Sequence, residues 1–359
     1  MYIILAILLF GVLIAAHEWG HFMAARISGV TVHEFAIGMG PVLWKRKGKK
    51  DTVFSVRAFP IGGFCALEGE EEESDDPHSL VNQGFWKKVL VFAAGPIMNF
   101  LAGALILLIL NSQAAGFTVP VIAGTAPEFE TVNNGMSLKE GDVFWSINGS
   151  RVYLTSDVDL LLMLANKEPI DLVVLRDGQK VELKNLTVAD YTDSEGNSYH
   201  GYGLYRSVTV QPATLGMKLK YTWYNSIDFV RTVWYSLQML VTGSAGVTDL
   251  SGPVGIVSTI NDVGNQSENL KAALENIAYF GAMISVNLAV MNLLPIPALD
   301  GGHILFLIIS TLSEKLFKRK VPMKYEAVIN MVFFALLMGL MLLVTFNDVR
   351  KLISQVVQS

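Results

Sequence analysis

The first 25 residues read MYIILAILLFGVLIAAHEWGHFMAA, an apolar run that carries three ionisable side chains near its end. A helix needs roughly 20 apolar residues to cross a bilayer, so this run is long enough to be a membrane span. His17 and His21 are four residues apart, which places both imidazoles on one helix face, and Glu18 lies beside them. An ionisable group at bilayer depth costs about 2.5 kcal/mol or more, so this cluster indicates a functional partner such as a metal ion.

The composition extends this apolar character to the whole chain. Of its 359 residues, 52% are hydrophobic and only 16% are charged. Soluble proteins carry about 25% charged residues, which argues against a purely soluble or disordered chain. More than half of the acids fall between Glu128 and Glu275, so one water-soluble insert is predicted. A net charge of -5 argues against nucleic acid as a partner.

Long apolar stretches predict a polytopic α-helical membrane protein with about four transmembrane helices. The predicted spans are residues 1–25, 86–114, 276–299 and 327–347. Lysine and arginine concentrate in the segments 26–85 and 300–326, which the positive-inside rule assigns to the cytoplasm. The N-terminus, the insert and the C-terminal tail 348–359 are then expected outside.

The cytoplasmic segment 26–85 contains strand-like runs separated by glycine and proline. Residues 52–56 and 64–67 therefore predict β-hairpins, and the acidic run 68–76 is interpreted as a solvated loop. Strand edges can lie at membrane depth only where protein surrounds them, because lipid cannot satisfy open backbone groups.

A second segment supplies a candidate for the third metal ligand. An H-E-x-x-H sequence on a helix is typical of zinc hydrolases, and a catalytic zinc ion needs three protein ligands and one open position. Asp300 lies in the stretch NLLPIPALDGGH, residues 292–303, where prolines break an apolar span and glycines allow a tight turn. His303 is an alternative ligand, and an interfacial acid at a helix end is the structural alternative for Asp300.

These motifs, together with GPIMN at residues 95–99, resemble the site-2 protease family of intramembrane zinc metalloproteases, in particular its PDZ-containing bacterial branch. The resemblance covers nearly the whole chain. It implies one Zn²⁺ per chain, held by His17, His21 and Asp300, with Glu18 as the general base.

The resemblance also implies residues that hold the substrate. These are Asn287, Asn292, Gly62, Gly63 and Phe64. The last three belong to a membrane-associated β-hairpin, residues 53–67, whose edge would pair with an unwound substrate segment. Hydrogen bonding between helices is an equal alternative for the two asparagines, and close helix packing is the favoured interpretation for Gly95 and Asn99. The sequence DLSGPVG, residues 249–255, resembles the family's Gly-Pro element.

The insert resembles one PDZ domain, predicted over residues 115–189. The stretch GDVFWSING, residues 141–149, has the pattern of a strand that ends in an Asn-Gly turn. PDZ grooves bind extended chain ends by strand addition. Because the link 128–136 is unusual, two roles stay open for this insert: it binds peptides, or it only restricts access to the active site. Within 190–275, a turn-rich segment precedes residues 218–241, which predict an interfacial amphipathic helix or a helix packed on the insert.

The resemblance implies a zinc metalloendopeptidase in the bacterial cytoplasmic membrane. Its expected partners are the lipid bilayer and single-pass membrane proteins, cut within their transmembrane segments after a first protease has acted. Such regulated intramembrane proteolysis would act on anti-sigma factors or remnant signal peptides, with the insert as a size filter. Two other classes stay open: a metal transporter or sensor, which would not need Glu18, and a non-catalytic PDZ-bearing membrane scaffold, which would not need the zinc ligands.

Overall fold

The computed structural model describes residues 1–48, 51–70, 74–192, 198–244, 246, 250–318 and 322–358. Several residues of the segments discussed above lie outside this part. They are the loop bases Lys49, Lys50, Arg319 and Lys320, the acids Glu71, Glu72 and Glu73, and Asp249 of the Gly-Pro element. The chain forms two compact units, one of Met1–Leu107 with Phe229–Ser359 and one of Leu108–Asp228.

The helices are, in chain order, α1 (Tyr2–Ser28), α2 (Phe85–Ser112), α3 (Phe129–Val132), α4 (Thr155–Leu164), α5 (Leu215–Thr242), α6 (Pro253–Gln266), α7 (Leu270–Asn292), α8 (Asp300–Phe317) and α9 (Met323–Gln358). The strands are β1 (Val32–Lys47), β2 (Val53–Leu67), β3 (Gly116–Thr125), β4 (Val143–Ile147), β5 (Ser150–Arg151), β6 (Ile170–Arg176), β7 (Gln179–Leu186), β8 (Ala189–Thr192), β9 (Ser198–Gly201) and β10 (Leu204–Pro212). Among the described residues, α1, α2, α7 and most of α9 are long and apolar enough to cross a membrane. The expected multi-pass membrane protein is thereby confirmed.

Glycines allow the spanning helices to approach one another closely. A Cβ on Gly20 of α1 would lie 2.3 Å from the carbonyl oxygen of Ala94 in α2. A Cβ on Gly103 of α2 would lie 2.9 Å from the carbonyl oxygen of Ala282 in α7. Small residues at such crossings are typical of membrane helix packing, where dispersion contacts rather than hydrophobic burial hold helices together.

Strands β1 and β2 form a separate sheet in which each strand bends back on itself. Residues 34–37 of β1 have partners on both sides, namely 63–66 and 53–56 of β2, while 42–47 pair with 53–57. Gly38, Gly40 and Gly62 have positive φ angles at the bends, a region that glycine enters without steric cost. Residues 63–67 have β1 on one side only within the described residues, so they form an edge of this sheet.

Three predictions differ from the observed helices. The third span was expected to reach residue 299, but α7 ends at Asn292, because Pro295 and Pro297 have no backbone N–H to continue the helix. Segment 300–326 was expected to be a loop, yet Asp300–Phe317 is helical. Segment 348–359 was expected to be a tail, yet α9 continues through it to Gln358. Basic side chains marked both segments as polar, but residues 303–317 and 348–358 contain no proline or glycine that would end a helix.

The second unit contains an antiparallel sheet with the strand order β10-β3-β4-β6-β7, and β5 pairs with β4. Strands β6 and β7 form a hairpin joined at Asp177 and Gly178, which both have positive φ angles. The helix α4 lies between β5 and β6 in the chain. The turn-rich segment after residue 190 contains β10, which extends the compact unit beyond the expected range 115–189. Its side chains are mostly exposed, so apolar alternation gave little sign of a strand.

An ion pair holds the start of β4 to the end of β6. Burial alone would raise the pKa of the Asp142 carboxyl, but the guanidinium of Arg176 donates to it at 2.6 and 2.9 Å and the Lys139 N–H donates at 2.9 Å. These hydrogen bonds keep the pKa of Asp142 below its usual value. The aspartate of the G-D pattern therefore has a structural role in this unit.

Candidate active site

Three side chains from the two ends of the chain converge within the first unit. His17 and His21 project from the same face of α1, and their Nε2 atoms lie 3.2 Å apart. The Asp300 carboxylate, at the start of α8, lies 3.2 Å from Nε2 of His17 and 3.5 Å from Nε2 of His21. Within the described residues, these three ligand atoms form a group that spans at most 4.8 Å and could hold a metal ion.

The donor set suits a catalytic zinc ion. Two imidazoles and one carboxylate are typical zinc ligands, and three protein ligands leave a fourth position open for water or substrate. All three side chains are partly buried, which limits competition from bulk water. The residues present therefore fit the group that the sequence motif implies.

The backbone before Asp300 takes an unusual path that delivers its carboxylate. After α7 ends at Asn292, the chain turns through Pro295, Pro297 and Ala298, and Ala298 has a φ angle of 70°. The N–H of Ala298 donates to Oδ1 of Asn330 in α9 at 3.1 Å, which fixes this left-handed residue. The turn thus has a side-chain anchor two residues before the carboxylate.

Two glycines allow α8 to begin against that turn. A Cβ on Gly301 would lie 2.3 Å from the carbonyl oxygen of Leu294, and one on Gly302 would lie 2.3 Å from that of Ile296. No side chain fits at either position without moving the backbone. The two positions after Asp300 therefore require glycine, because the start of α8 packs directly against the backbone of the preceding turn.

The imidazoles are supported on their outer sides by α2. Nδ1 of His21 lies 2.8 Å from the carbonyl oxygen of Val91, and Nδ1 of His17 lies 3.3 Å from Nδ2 of Asn99. A Cβ on Gly95 would lie 2.2 Å from Nε2 of His21 and 2.8 Å from Cε1 of His17. Gly95 was interpreted from the sequence as a helix-packing residue, and its close contact with both rings is what that interpretation missed.

A cavity of about 680 Å³ opens onto the cluster. The sheet edge formed by residues 63–67 borders it, and a Cβ on Gly63 would lie 3.4 Å from Cγ of Glu18. The carboxylate of Glu18 therefore lies between the histidines and a strand edge. The lining residues are His17, Glu18, His21, Phe64, Cys65, Ala66, Leu67, Glu68, Gly69, Glu70, Ser74 and Asp300.

The other candidate residues are more scattered. Phe64 lines the cavity, and Gly62 and Gly63 lie at the bend just before it. Asn287 is exposed on α7 and Asn292 ends that helix, and neither is among the residues that line this cavity. His303, the alternative ligand, lies outside the cluster: its Nδ1 is 3.0 Å from Oε1 of Glu326, and its ring stacks on Phe92 at 5.0 Å.

The spanning helices and the three-ligand cluster define a multi-pass membrane protein with a metal centre of the hydrolase type. Residues 5–340 match the profile of Peptidase family M50, so the chain belongs to this family, the site-2 proteases. The chain is therefore a membrane metalloprotease, and zinc is its cofactor.

Three relatives that match almost the whole chain agree with this assignment. A Clostridium perfringens protein named as a candidate zinc metalloprotease is 37% identical over 350 residues, covering 97% of this chain and 98% of the relative. A Fusobacterium nucleatum protein with the same kind of name is 31% identical, covering 98% and 99%. The regulator of sigma-W protease of Bacillus subtilis is 28% identical over 434 residues, covering 98% of each chain.

Gly95→Ala tests the close contact between α2 and the imidazoles. The added methyl group would collide with both rings, so we expect zinc affinity to fall by about tenfold or more, the size typical for disturbing the surroundings of metal ligands. Chelator competition on the purified protein measures this affinity. Gly339→Ala in α9 is the matched control, because a Cβ there meets no atom within 4 Å. Unchanged zinc affinity in Gly95→Ala would show that the rings tolerate the methyl group.

Proposed function

We propose that this metalloprotease hydrolyses peptide bonds within transmembrane segments of single-pass membrane proteins. One observation carries the proposal: the cluster of His17, His21 and Asp300 shares a cavity with the edge of a β-sheet, and Glu18 lies between them. A hydrolytic centre beside a strand edge suits a substrate that must be extended before it is cut.

In the proposed mechanism, His17, His21 and Asp300 would hold the zinc ion, which when bound would supply Lewis acidity to water and to the scissile carbonyl. Glu18 acts as the general base, because its carboxylate can accept the proton of the attacking water. It then acts as the general acid and passes this proton to the leaving amine. Asp300 is not available for this work, because its carboxylate is occupied as a ligand.

Glu18→Gln separates this mechanism from its alternatives. Glutamine retains the shape but cannot accept the proton, so zinc binding should persist while cleavage falls by roughly 10²- to 10⁴-fold. The assay uses purified protein in detergent or liposomes with a single-pass substrate, and metal analysis follows zinc content. His17→Ala is the companion variant, which should lose both zinc and activity.

Two outcomes favour other classes of protein. If Glu18→Gln binds zinc and cleaves at the wild-type rate, the general-base role is wrong. If the wild-type protein moves zinc across liposomes and cleaves no substrate, the transporter or sensor is favoured instead. A scaffold would keep its cellular role when His17 and Asp300 are replaced together.

The edge strand is proposed to bind the substrate by strand addition. A transmembrane helix hides its scissile carbonyl in its own hydrogen bonds, so the segment must unwind, and residues 63–67 can replace the lost partners. Gly62, Gly63 and Phe64 are proposed to shape this edge. Asn287 and Asn292 are proposed to contact the substrate from α7, although hydrogen bonding within the helix bundle is the alternative role.

A glycine in the substrate tests the need for unwinding. Replacing one leucine next to the scissile bond by glycine lowers helix stability by about 1 kcal/mol, so kcat/KM should rise several-fold, up to about fivefold. The same replacement two helical turns away is the control and should have little effect. An equal change at both positions would mean that local unwinding does not limit cleavage.

The second unit is proposed to be a PDZ domain that faces the outside, as the charge pattern of the loops indicates. Two features support this assignment. The strand order is not sequential and the unit includes α4, and the turn at Asn148 and Gly149 has φ angles of 49° and 75°. In β10 only the side next to β3 is paired within the described residues, so its other edge could accept a peptide end. We infer that this unit also excludes substrates with large outside domains, so that anti-sigma factors or remnant signal peptides are cut after a first protease.

Exchanging the insert tests the size filter. A short Gly-Ser linker in place of residues 116–212 should allow cleavage of a substrate that retains a folded outside domain, while the wild-type protein cleaves only the trimmed form. Cleavage of the trimmed substrate by both proteins is the control for an intact active site. If the exchanged protein still rejects the untrimmed substrate, the insert is not the filter.

A further inference from the structure

His17 and His21, the two candidate zinc ligands of α1, each direct Nε2 to the cluster and Nδ1 to α2. For His21, Nδ1 lies 2.8 Å from the carbonyl oxygen of Val91. A carbonyl oxygen can only accept, so Nδ1 of His21 carries a ring proton, and in the neutral ring Nε2 is the nitrogen that can bind a metal in the cluster. This contact sets both the tautomer and the orientation of the ring.

For His17, the corresponding neighbour is the side chain of Asn99, which is 1% exposed. Nδ1 of His17 lies 3.3 Å from Nδ2 of Asn99, while Oδ1 of Asn99 is buried and has no hydrogen-bond partner within the described residues. If His17 also presents the lone pair of Nε2 to the cluster, its Nδ1 carries a proton, and two donors face each other. The same amide then also contains a buried acceptor without a hydrogen bond in the described part of the chain, Oδ1 of Asn99.

A half turn of the amide resolves both problems, because the oxygen and nitrogen of a carboxamide occupy nearly the same volume. Oδ1 of Asn99 then accepts the hydrogen bond from Nδ1 of His17. The half turn replaces a contact between two donors with a hydrogen bond, so this orientation is favoured once His17 is bound to a metal through Nε2.

The backbone around Asn99 holds the amide in place. Asn99 follows Gly95 by four residues, so it lies on the same face of α2 that touches the imidazoles. Its backbone carbonyl oxygen accepts a hydrogen bond of 2.7 Å from Oγ of Ser285, a fully buried residue of α7. This bond ties the backbone at Asn99 to α7 and so fixes the point from which the side-chain amide extends.

We propose that Asn99 is a positioning residue that orients His17 as a zinc ligand, with Oδ1 as the acceptor for its Nδ1 proton. This proposal rests on the proposed function, in which His17 binds zinc. The GPIMN sequence then has two roles at the site: Gly95 leaves space for the rings, and Asn99 sets the tautomer of one of them. Helix packing alone would not require a polar side chain at position 99.

Asn99→Leu removes the acceptor with little change in volume. We expect the zinc dissociation constant, measured by chelator competition on the full chain at pH 7, to rise by about 10- to 100-fold. Asn99→Asp keeps an acceptor oxygen and should retain an affinity near that of the wild type. Asn111→Leu is the matched control, since Asn111 lies in the same helix and bonds to Thr222 rather than to a ligand.

A spectroscopic readout separates positioning from general destabilisation. With Co²⁺ in place of zinc, the visible absorption bands report ligand geometry, so they should change in Asn99→Leu and stay unchanged in Asn99→Asp and Asn111→Leu. Thermal unfolding of the metal-free proteins checks their folding. If Asn99→Leu does not fold, Asn99→Ala takes its place with the same expectation.

His17→Ala separates a failure of the proposed ligand set from a failure of the role proposed for Asn99. If His17→Ala binds zinc as tightly as the wild type, the proposed ligand set is wrong. If His17→Ala loses zinc but Asn99→Leu has wild-type affinity and an unchanged Co²⁺ spectrum, only the role of Asn99 is wrong. A loss of affinity in Asn99→Asp equal to that in Asn99→Leu would also overturn the acceptor role.

Discussion

The close approach of α1, α2 and α8 is the constraint on which the rest of the first unit depends. Two imidazoles and a carboxylate must share a space 4.8 Å across among apolar helices, where unpaired ionisable groups are costly. Ordinary side chains at the crossings would keep the helices too far apart. Glycines at positions 20 and 95 remove that obstacle between α1 and α2, and those at 301 and 302 let α8 begin against the turn before it, because a Cβ at each would meet an atom at 2.3 Å or less.

Besides the ligand cluster, the cavity contains a sheet edge whose backbone groups pair with no second strand within the described residues. Exposed strand edges are usually protected because they pair with other chains. Here the edge 63–67 lies beside Glu18, within a cavity that protein walls enclose on the side of α1. Unpaired backbone groups at membrane depth are tolerated where they line such a cavity, and the same edge is the one proposed to pair with an extended substrate segment.

Polar contacts near both ends of α9 join this long helix to the rest of its unit. Asn330 holds the backbone of Ala298, and Asp348 accepts from the N–H groups of Gly252 and Gly255 at 2.9 and 2.8 Å. The second contact satisfies N–H groups at the start of α6 that no helical carbonyl can reach. α9 therefore supports both the turn before Asp300 and the helix that packs on α1.

Much of the site was predictable from the sequence because its signals are local. The spacing of His17 and His21 depends only on the helical repeat, and an aspartate beside prolines and glycines in an apolar stretch is conspicuous by itself. The choice of Asp300 over His303 was not local: both begin α8, and only the packing of α8 shows that His303 turns to Glu326. The strand β10 and the helix α6 were likewise missed, since the side chains of β10 are mostly exposed and α6 carries the helix-disfavouring residues Gly255 and Gly264.

The sequence by itself determined the class of protein, the number of spans and the chemical identity of the candidate ligands, because composition and helical spacing are properties of neighbouring residues. Only the tertiary structure decided which residues meet. The edge position of residues 63–67 follows from how β1 and β2 bend, and the contact of Gly95 and Asn99 with the imidazoles follows from how α2 crosses α1. Such contacts join residues far apart in the chain, and local sequence patterns carry no information about those distances.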